Sequence, residues 1–223
     1  MARRINSKSP KKIIRVFCEG ESEQAYTDFI KNCFNDIAVI KYPKATGLFE
    51  TAKDKFSKDP QFKDYANEID EVWYFFDVEI KDVAKWTQRH KIIEQIRKLR
   101  KKPNIKVRLL MTTGCIEYWL MLHYQMFAPP VQTEAEKEKM LAAVKNKETH
   151  YEKGNKEITA RIAQNYPTAI ENADKILKNL LSQGMPGLEE SDERNRWLCE
   201  KCLTFSTVQE AIVFLEGERK KKS

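Results

Sequence analysis

Glu71-Val-Trp-Tyr-Phe-Phe-Asp77 is the stretch that decides the fold. It is nearly all aromatic or β-branched, the pattern of a central parallel strand covered on both faces. Toward the N-terminus, Lys12-Ile-Ile-Arg-Val-Phe-Cys18 reads as another buried strand, followed by a tight turn at Glu19-Gly20. Ser22 is placed to cap the next helix, whose apolar residues Ala25, Tyr26, Phe29, Ile30 and Phe34 fall at helical spacing. Ile37 to Tyr42 reads as a strand stopped by Pro43, and Thr46 to Ala66 as helix interrupted at Asp59-Pro60. Toward the C-terminus, Lys81 to Lys101 reads as a long basic helix ending before Pro103. Ile105 to Met111 reads as a strand, and Ile116 to Phe127 as an apolar helix closed by Pro129-Pro130.

Alternating strands and helices imply a parallel sheet with right-handed crossovers. After residue 130 the pattern changes. Thr133 to Lys147, Ile158 to Gln164, Thr168 to Leu181 and Ser206 to Glu216 read as helices, and no further strand is predicted. The expected organisation is a basic arm over 1–11, an α/β core over 12–129 and a helical extension over 130–223 packed on that core.

With 223 residues, 41% of them hydrophobic, the chain can build one sizeable core. No apolar run approaches the roughly 18 residues of a membrane span, so the expectation is a soluble, cytoplasmic protein with no membrane partner. Five cysteines and no secretory leader argue against a disulfide framework. Cys199 and Cys202 lack the further ligands a zinc site needs and read as helical core residues. The net charge is +7, with basic clusters at Arg3-Arg4, Lys8 to Lys12, Arg97 to Lys102 and Lys220 to Lys222. Such charge favours a polyanionic partner. Arg97, Lys98, Arg100 and Lys101 are the candidate nucleic-acid contacts; a solvated face is the alternative.

In open α/β sheets the working residues gather beyond the carboxyl ends of the strands. Here those ends deliver Glu19-Gly-Glu-Ser-Glu23, Asp77-Val-Glu79 and Thr112-Thr-Gly-Cys-Ile-Glu117. Carboxylates meeting at neighbouring strand tips repel one another unless a cation lies between them, and hard oxygen ligands select Mg²⁺ or Mn²⁺. Asp77 is costly at the end of an aromatic strand unless something stabilises it. Glu79 points the same way as Asp77 if the extended geometry continues. Glu23 can turn back toward the strand tip or serve as a helix N-terminal acid, and Glu117 has the same two readings. His123 reads as a buried hydrogen-bonding group or a catalytic one. Lys153 reads as a solvated lysine or an electrostatic helper at a phosphoryl centre.

Phe17-Cys-Glu-Gly-Glu-Ser-Glu-Gln-Ala-Tyr26 resembles the opening motif of RloB-like proteins, a branch of the Toprim fold, and the same stretch of OLD-type nucleases. Asp77-Val-Glu79 resembles the Toprim Asp-x-Asp motif, and Glu117-Tyr-Trp-Leu-Met-Leu-His123 the Glu-x-Trp-Leu-x-x-His helix of RloB-like proteins. His150-Tyr-Glu-Lys153, Ala169-Ile-Glu-Asn-Ala173 and Ser206-Thr-Val208 follow their later pattern, so the resemblance spans about residues 12 to 216. It implies a Toprim-like parallel sheet and a role in bacterial antiviral defence or abortive infection, beside an ATPase partner. It makes Glu19 a metal ligand or acid/base group, Asp77 and Glu79 metal ligands and Glu23 an additional acid. Two departures stand out: Glu79 replaces the usual aspartate, and Thr112-Thr-Gly114 stands where Ser-Asn-Pro is usual.

The leading expectation is a metal-dependent nuclease that uses Mg²⁺ or Mn²⁺ to cleave DNA or RNA. Glu19, Asp77 and Lys153 would be catalytic, with Glu19, Glu23, Asp77 and Glu79 as metal ligands. One alternative is a catalytically silent nucleic-acid-binding or regulatory subunit of an ATPase; another is a nucleotide-processing enzyme. No Gly-x-x-x-x-Gly-Lys-Ser/Thr loop is present, which excludes a P-loop ATPase. Homo-oligomerisation is left open.

Overall fold

The computed structural model describes residues 10–222. The basic arm with Arg3, Arg4 and Lys8 lies outside them. The chain is an α/β protein: among the described residues, a four-stranded parallel sheet is flanked by ten helices, with a helical C-terminal part. No helix among the described residues is long and apolar enough to cross a membrane.

The strands are β1 (Lys12–Cys18), β2 (Ala38–Lys41), β3 (Glu71–Val78) and β4 (Lys106–Thr113). They pair in the order β2-β1-β3-β4. Glu71 to Phe76 is fully buried, as its composition requires. Helix α1 (Glu21–Cys33) and helix α5 (Ile116–Leu122) cover one face. There Tyr26 meets Phe75 and Trp119 edge-on, with ring centroids 6.2 and 5.8 Å apart. Helix α2 (Phe49–Lys58), the single turn α3 (Pro60–Lys63) and helix α4 (Trp86–Arg97) cover the other. Phe49 stacks on Tyr74 at 4.2 Å and meets Phe76 at 5.5 Å, so alternate residues of β3 anchor opposite layers.

Helices α6 (Glu134–Lys147), α7 (Lys156–Ala163), α8 (Tyr166–Leu181), α9 (Asp192–Lys201) and α10 (Gln209–Lys222) follow. They pack on the sheet layers: α7 on α1, α6 and α8 on α5, α9 on α4, and α10 on α8 and β4.

Several elements differ from the sequence reading. The N-cap of α1 is Gly20, whose amide donates to Glu23 at 2.8 Å; Ser22 sits inside the first turn and accepts from the Gly154 amide at 3.1 Å. The basic helix is shorter than predicted, with a 3-10 segment (Ile80–Lys85) before α4, which ends at Arg97. Arg100 turns back to donate to the Pro103 carbonyl, a local contact incompatible with a continuing helix. Helix α5 stops at Leu122, where the carbonyls of Leu122 and His123 accept from the Asn172 and Asn165 side chains. Helix α9 was read from the sequence only through the helical placing of Cys199 and Cys202; Cys199 lies in it, whereas Cys202 is its C-cap in the left-handed conformation, at φ 48°. Its stretch is polar, yet Arg194 is buried there by a bidentate pairing with Glu210 at 2.6 and 3.0 Å.

Candidate active site

Strand order reverses between β1 and β3, because the chain leaves β1 outward to β2 and returns to the far side. A crevice beyond the carboxyl ends at such a switch point is the usual ligand site of an open α/β sheet. Glu19 and Asp77 occupy it. The parallel ladder runs one residue past β1, with the Glu19 amide donating to the Phe75 carbonyl at 3.0 Å. The Glu19 carboxylate then accepts from the Asp77 amide at 3.0 Å. The two strand ends are therefore locked together by the acid of one and the backbone of the other.

Asp77 points to the same face as Phe75, toward α1 and α5. Glu23 reaches it from α1 and Glu117 from α5; both are buried. The Asp77 Oδ1 atom is buried without a hydrogen-bond partner among the described residues. Its register partner on β4 is Thr112, whose hydroxyl is also buried and unpartnered. Both oxygens thus belong to neighbouring strand ends, and a buried polar atom left without a partner is costly. Gly114 closes this edge at φ +73°, where a Cβ would lie 1.7 Å from the Val131 carbonyl oxygen. The loop thus depends on glycine at that point.

The electrostatics follow from crowding. Burial raises the Asp77 carboxyl well above its ordinary range, and Glu23, Glu19, Glu117 and Glu79 push it further. Burial likewise lifts Glu23 to about 7, with Glu19 and Glu117 adding to it against the hydrogen bond from Gly20. Glu19 is raised by desolvation, opposed by the Asp77 amide and supported by Glu79 and Asp82. The Tyr151 hydroxyl donates to Glu117 at 3.1 Å, and the exposed Lys153 ammonium stands 3.8 Å from the same carboxylate.

Glu79 behaves differently. Its carboxylate is gripped by Lys81 and Lys137. Burial alone would raise its pKa, but the hydrogen bonds from the two lysines dominate and hold it below the ordinary value. Lys137 lies on α6, 58 residues away, and neither lysine stands out in the sequence. Among Glu19, Glu23, Asp77, Glu79 and Glu117, no three bring ligand oxygens within 4.8 Å of one another; His90, Glu94 and Asp192 do bring ligand atoms that close. That second cluster is filled by Arg97, which donates to Glu94 at 2.7 Å and to both oxygens of Asp192 at 2.6 and 2.8 Å.

His123 is fully buried on the α1 side of α5. It contacts the Tyr26 hydroxyl and the Trp119 carbonyl, each at 3.0 Å. Burial lowers its pKa to about 4, so it is neutral at physiological pH. The basic patch also divides. Arg97 is committed to Asp192, and Arg100 pairs with Asp70 at 3.6 Å. Lys98 and Lys101 are exposed, Lys98 lying 3.8 Å from Glu94. Cys199 packs with its sulfur 3.6 Å from that of Met111, and the Cys202 thiol donates to the Cys199 carbonyl at 3.1 Å.

The family model for RloB-like protein matches residues 14–196, a span that contains the whole carboxylate centre. The chain belongs to the RloB-like family. No curated protein matches it. In this RloB-like protein, the matched span brings β1, β3, β4, α1 and α5 together around Asp77. It also includes Tyr151, Lys153 and Lys137, so the groups that hold Glu117 and Glu79 lie inside the family's own boundaries.

Proposed function

We propose that this RloB-like protein is a metal-dependent nuclease on a Toprim-type sheet, cleaving phosphodiester bonds in DNA or RNA. The observation that carries this reading is the buried Asp77 oxygen, without a hydrogen-bond partner among the described residues. The register partner of Asp77, Thr112, is likewise unpartnered, and Asp77 lies in the field of Glu23, Glu19 and Glu117. The donor set is hard oxygen and rich in carboxyl groups, which fits Mg²⁺ or Mn²⁺. Because no three of their oxygens lie within 4.8 Å of one another, the side chains must draw together and lose their protons on binding. When bound, such an ion supplies Lewis acidity toward a phosphoryl oxygen and an activated water.

The protein's own groups have separable roles. Asp77 and Glu23 would supply cation ligands from β3 and α1. Glu19, held by the Asp77 amide, orients the strand tips and offers its remaining oxygen to the crevice. Glu117, fixed by Tyr151, completes the buried side. Glu23 titrates near neutrality, so it can hold or release a proton in the apo protein. Lys153 places positive charge at the open rim, where a scissile phosphate would approach. A defence setting with an ATPase partner rests on the Toprim- and OLD-type resemblance of the Phe17 to Tyr26 motif.

The test combines Mn²⁺ titration with cleavage of single- and double-stranded DNA and RNA. Mn²⁺ should bind and activate the wild type, while Asp77→Ala and Glu19→Ala should lose cleavage and keep the fold. Full metal-dependent cleavage by Glu19→Ala would refute the assignment. A second reading, a silent nucleic-acid-binding or regulatory subunit, is favoured by Glu79, whose charge is already met by two lysines. It predicts no cleavage of any nucleic acid even with Mn²⁺ in excess.

A further inference from the structure

Arg15 stands on β1 four residues before Glu19, on the α3 side of the sheet. It is only 9% exposed. Its Nη1 atom is buried with no hydrogen-bond partner among the described residues. The guanidinium lies 5.8 Å from the centre of the Phe62 ring, and burial lowers its pKa despite the pull of Glu68. Leaving a guanidinium nitrogen desolvated and unpaired is costly. The sealed Nη1 atom is out of reach of an outside partner, but Arg15 also lines a cavity, and a partner there would offset the cost of burying its charge.

A cavity of about 800 Å³ opens over it, within the size range of small-molecule sites. The cavity runs along the edge strand β2, and Lys41, Lys44 and Lys55 line it beside Arg15. Lys41 and Lys44 are exposed. Lys55 is tied to Asp59 at 2.8 Å, and Glu68 is the other acid of the lining. Four cations against two acids leave the wall positive. One flank is aromatic: Phe62 lies beneath Arg15, and Tyr65 stands 52% exposed at the rim. The wall at Pro43 to Ala45 is anchored near the carboxylate centre, since the Gly47 amide donates to the Cys18 carbonyl at 2.8 Å.

We infer that this cavity binds a nucleotide unit, its phosphate received by Arg15, Lys41 and Lys44 and its base stacked on Tyr65. A guanidinium matches phosphate geometry through paired N–H donors, and an exposed aromatic ring accepts any base by stacking. At about 3.3 Å per residue of strand, Arg15 and Glu19 are roughly 13 Å apart. The nucleotide can therefore belong to a strand that also reaches the crevice, or be a free nucleotide held beside it. The site does not depend on the nuclease reading.

The test is titration of the full chain in EDTA, which takes divalent cations out of the experiment. The probes are inorganic phosphate, adenosine monophosphate and a short single-stranded oligonucleotide, with amide chemical shifts as the map. Adenosine monophosphate should bind saturably and perturb residues 13–15, 39–45 and 59–68, with phosphate weaker at the same place. Arg15→Met should weaken binding at least tenfold while raising the melting temperature, because it removes an unpaired buried charge. Lys41→Glu with Lys44→Glu, both on the surface, should weaken binding at least tenfold with the melting temperature unchanged. Tyr65→Ala should weaken the nucleotide and spare phosphate. An oligonucleotide tighter than the mononucleotide identifies a strand subsite, and the reverse order a free nucleotide. Absence of saturable binding by all three probes would overturn the inference, as would undiminished binding in both charge variants.

Discussion

Glu23 is a carboxyl whose pKa is lifted from 4.5 to about 7 by burial and by Glu19 and Glu117. Consider Glu23→Gln in the metal-free protein. Well below 4.5 the acid is protonated in both folded and unfolded chains and contributes nothing to pH dependence. Between 4.5 and about 7 the folded chain keeps the proton that the unfolded chain has released, so stability falls as pH rises. Each pH unit is worth at most about 1.4 kcal/mol, so the interval costs roughly 3 kcal/mol in all. The amide oxygen of glutamine can still accept from Gly20, which preserves the N-terminal capping contact. Glu23→Gln should therefore stabilise the apo protein by roughly 1–3 kcal/mol at pH 8, the lower bound allowing for a weaker neutral hydrogen bond. At pH 4 the two proteins should be nearly equal. The assay is urea unfolding in EDTA at half-unit pH steps, repeated with Mn²⁺. Added Mn²⁺ should stabilise the wild type more than the variant, because the ion binds the ionised cluster. Only the difference between variant and wild type isolates Glu23, because His123 contributes an opposite slope over the same window. A variant destabilised equally at pH 4 and pH 8 would refute the reasoning, as would a difference that does not grow in the variant's favour from pH 4.5 to 7.

Lys137→Met removes one of the two cations gripping Glu79 and should tighten Mn²⁺ binding roughly three- to tenfold, the effect of deleting one partly screened charge; unchanged affinity by calorimetry would place Glu79 outside the cation site. Arg97→Glu should cost about 1–3 kcal/mol in unfolding experiments, since it breaks a half-buried bidentate pair joining α4 to α9. Lys98→Glu with Lys101→Glu should leave stability unchanged and weaken nucleic-acid binding with a flatter salt slope; undiminished affinity would make the patch a solvated face. His123, with its pKa lowered to about 4, should destabilise the fold as pH falls from 6.5 toward 4, by roughly 3 kcal/mol across that interval. Its ring proton shift followed by NMR should stay flat from pH 6 to 9, and a midpoint near 6.5 would contradict its burial.

The four strands were legible because each carries its own signature. An aromatic, β-branched run such as Val72 to Phe76 states its burial on both faces through composition alone. The acids at the strand ends were legible for the same local reason, as charges abutting apolar runs. Helix α9 was legible only at Cys199, because its stretch is polar and Arg194 is buried only through Glu210 on another helix. What tertiary structure alone decided is which acids meet. The order β2-β1-β3-β4 puts Glu19 against the Asp77 amide, and the β3–β4 register sets Thr112 beside Asp77. The packing of α6 hands Glu79 to Lys137. Side-chain periodicity is set by near neighbours along the chain, whereas the field at a carboxylate is set by charges brought from distant segments. Sequence therefore located the acids, and only the folded sheet determined that Asp77 stands among other acids with no ion pair among the described residues, while Glu79 has two.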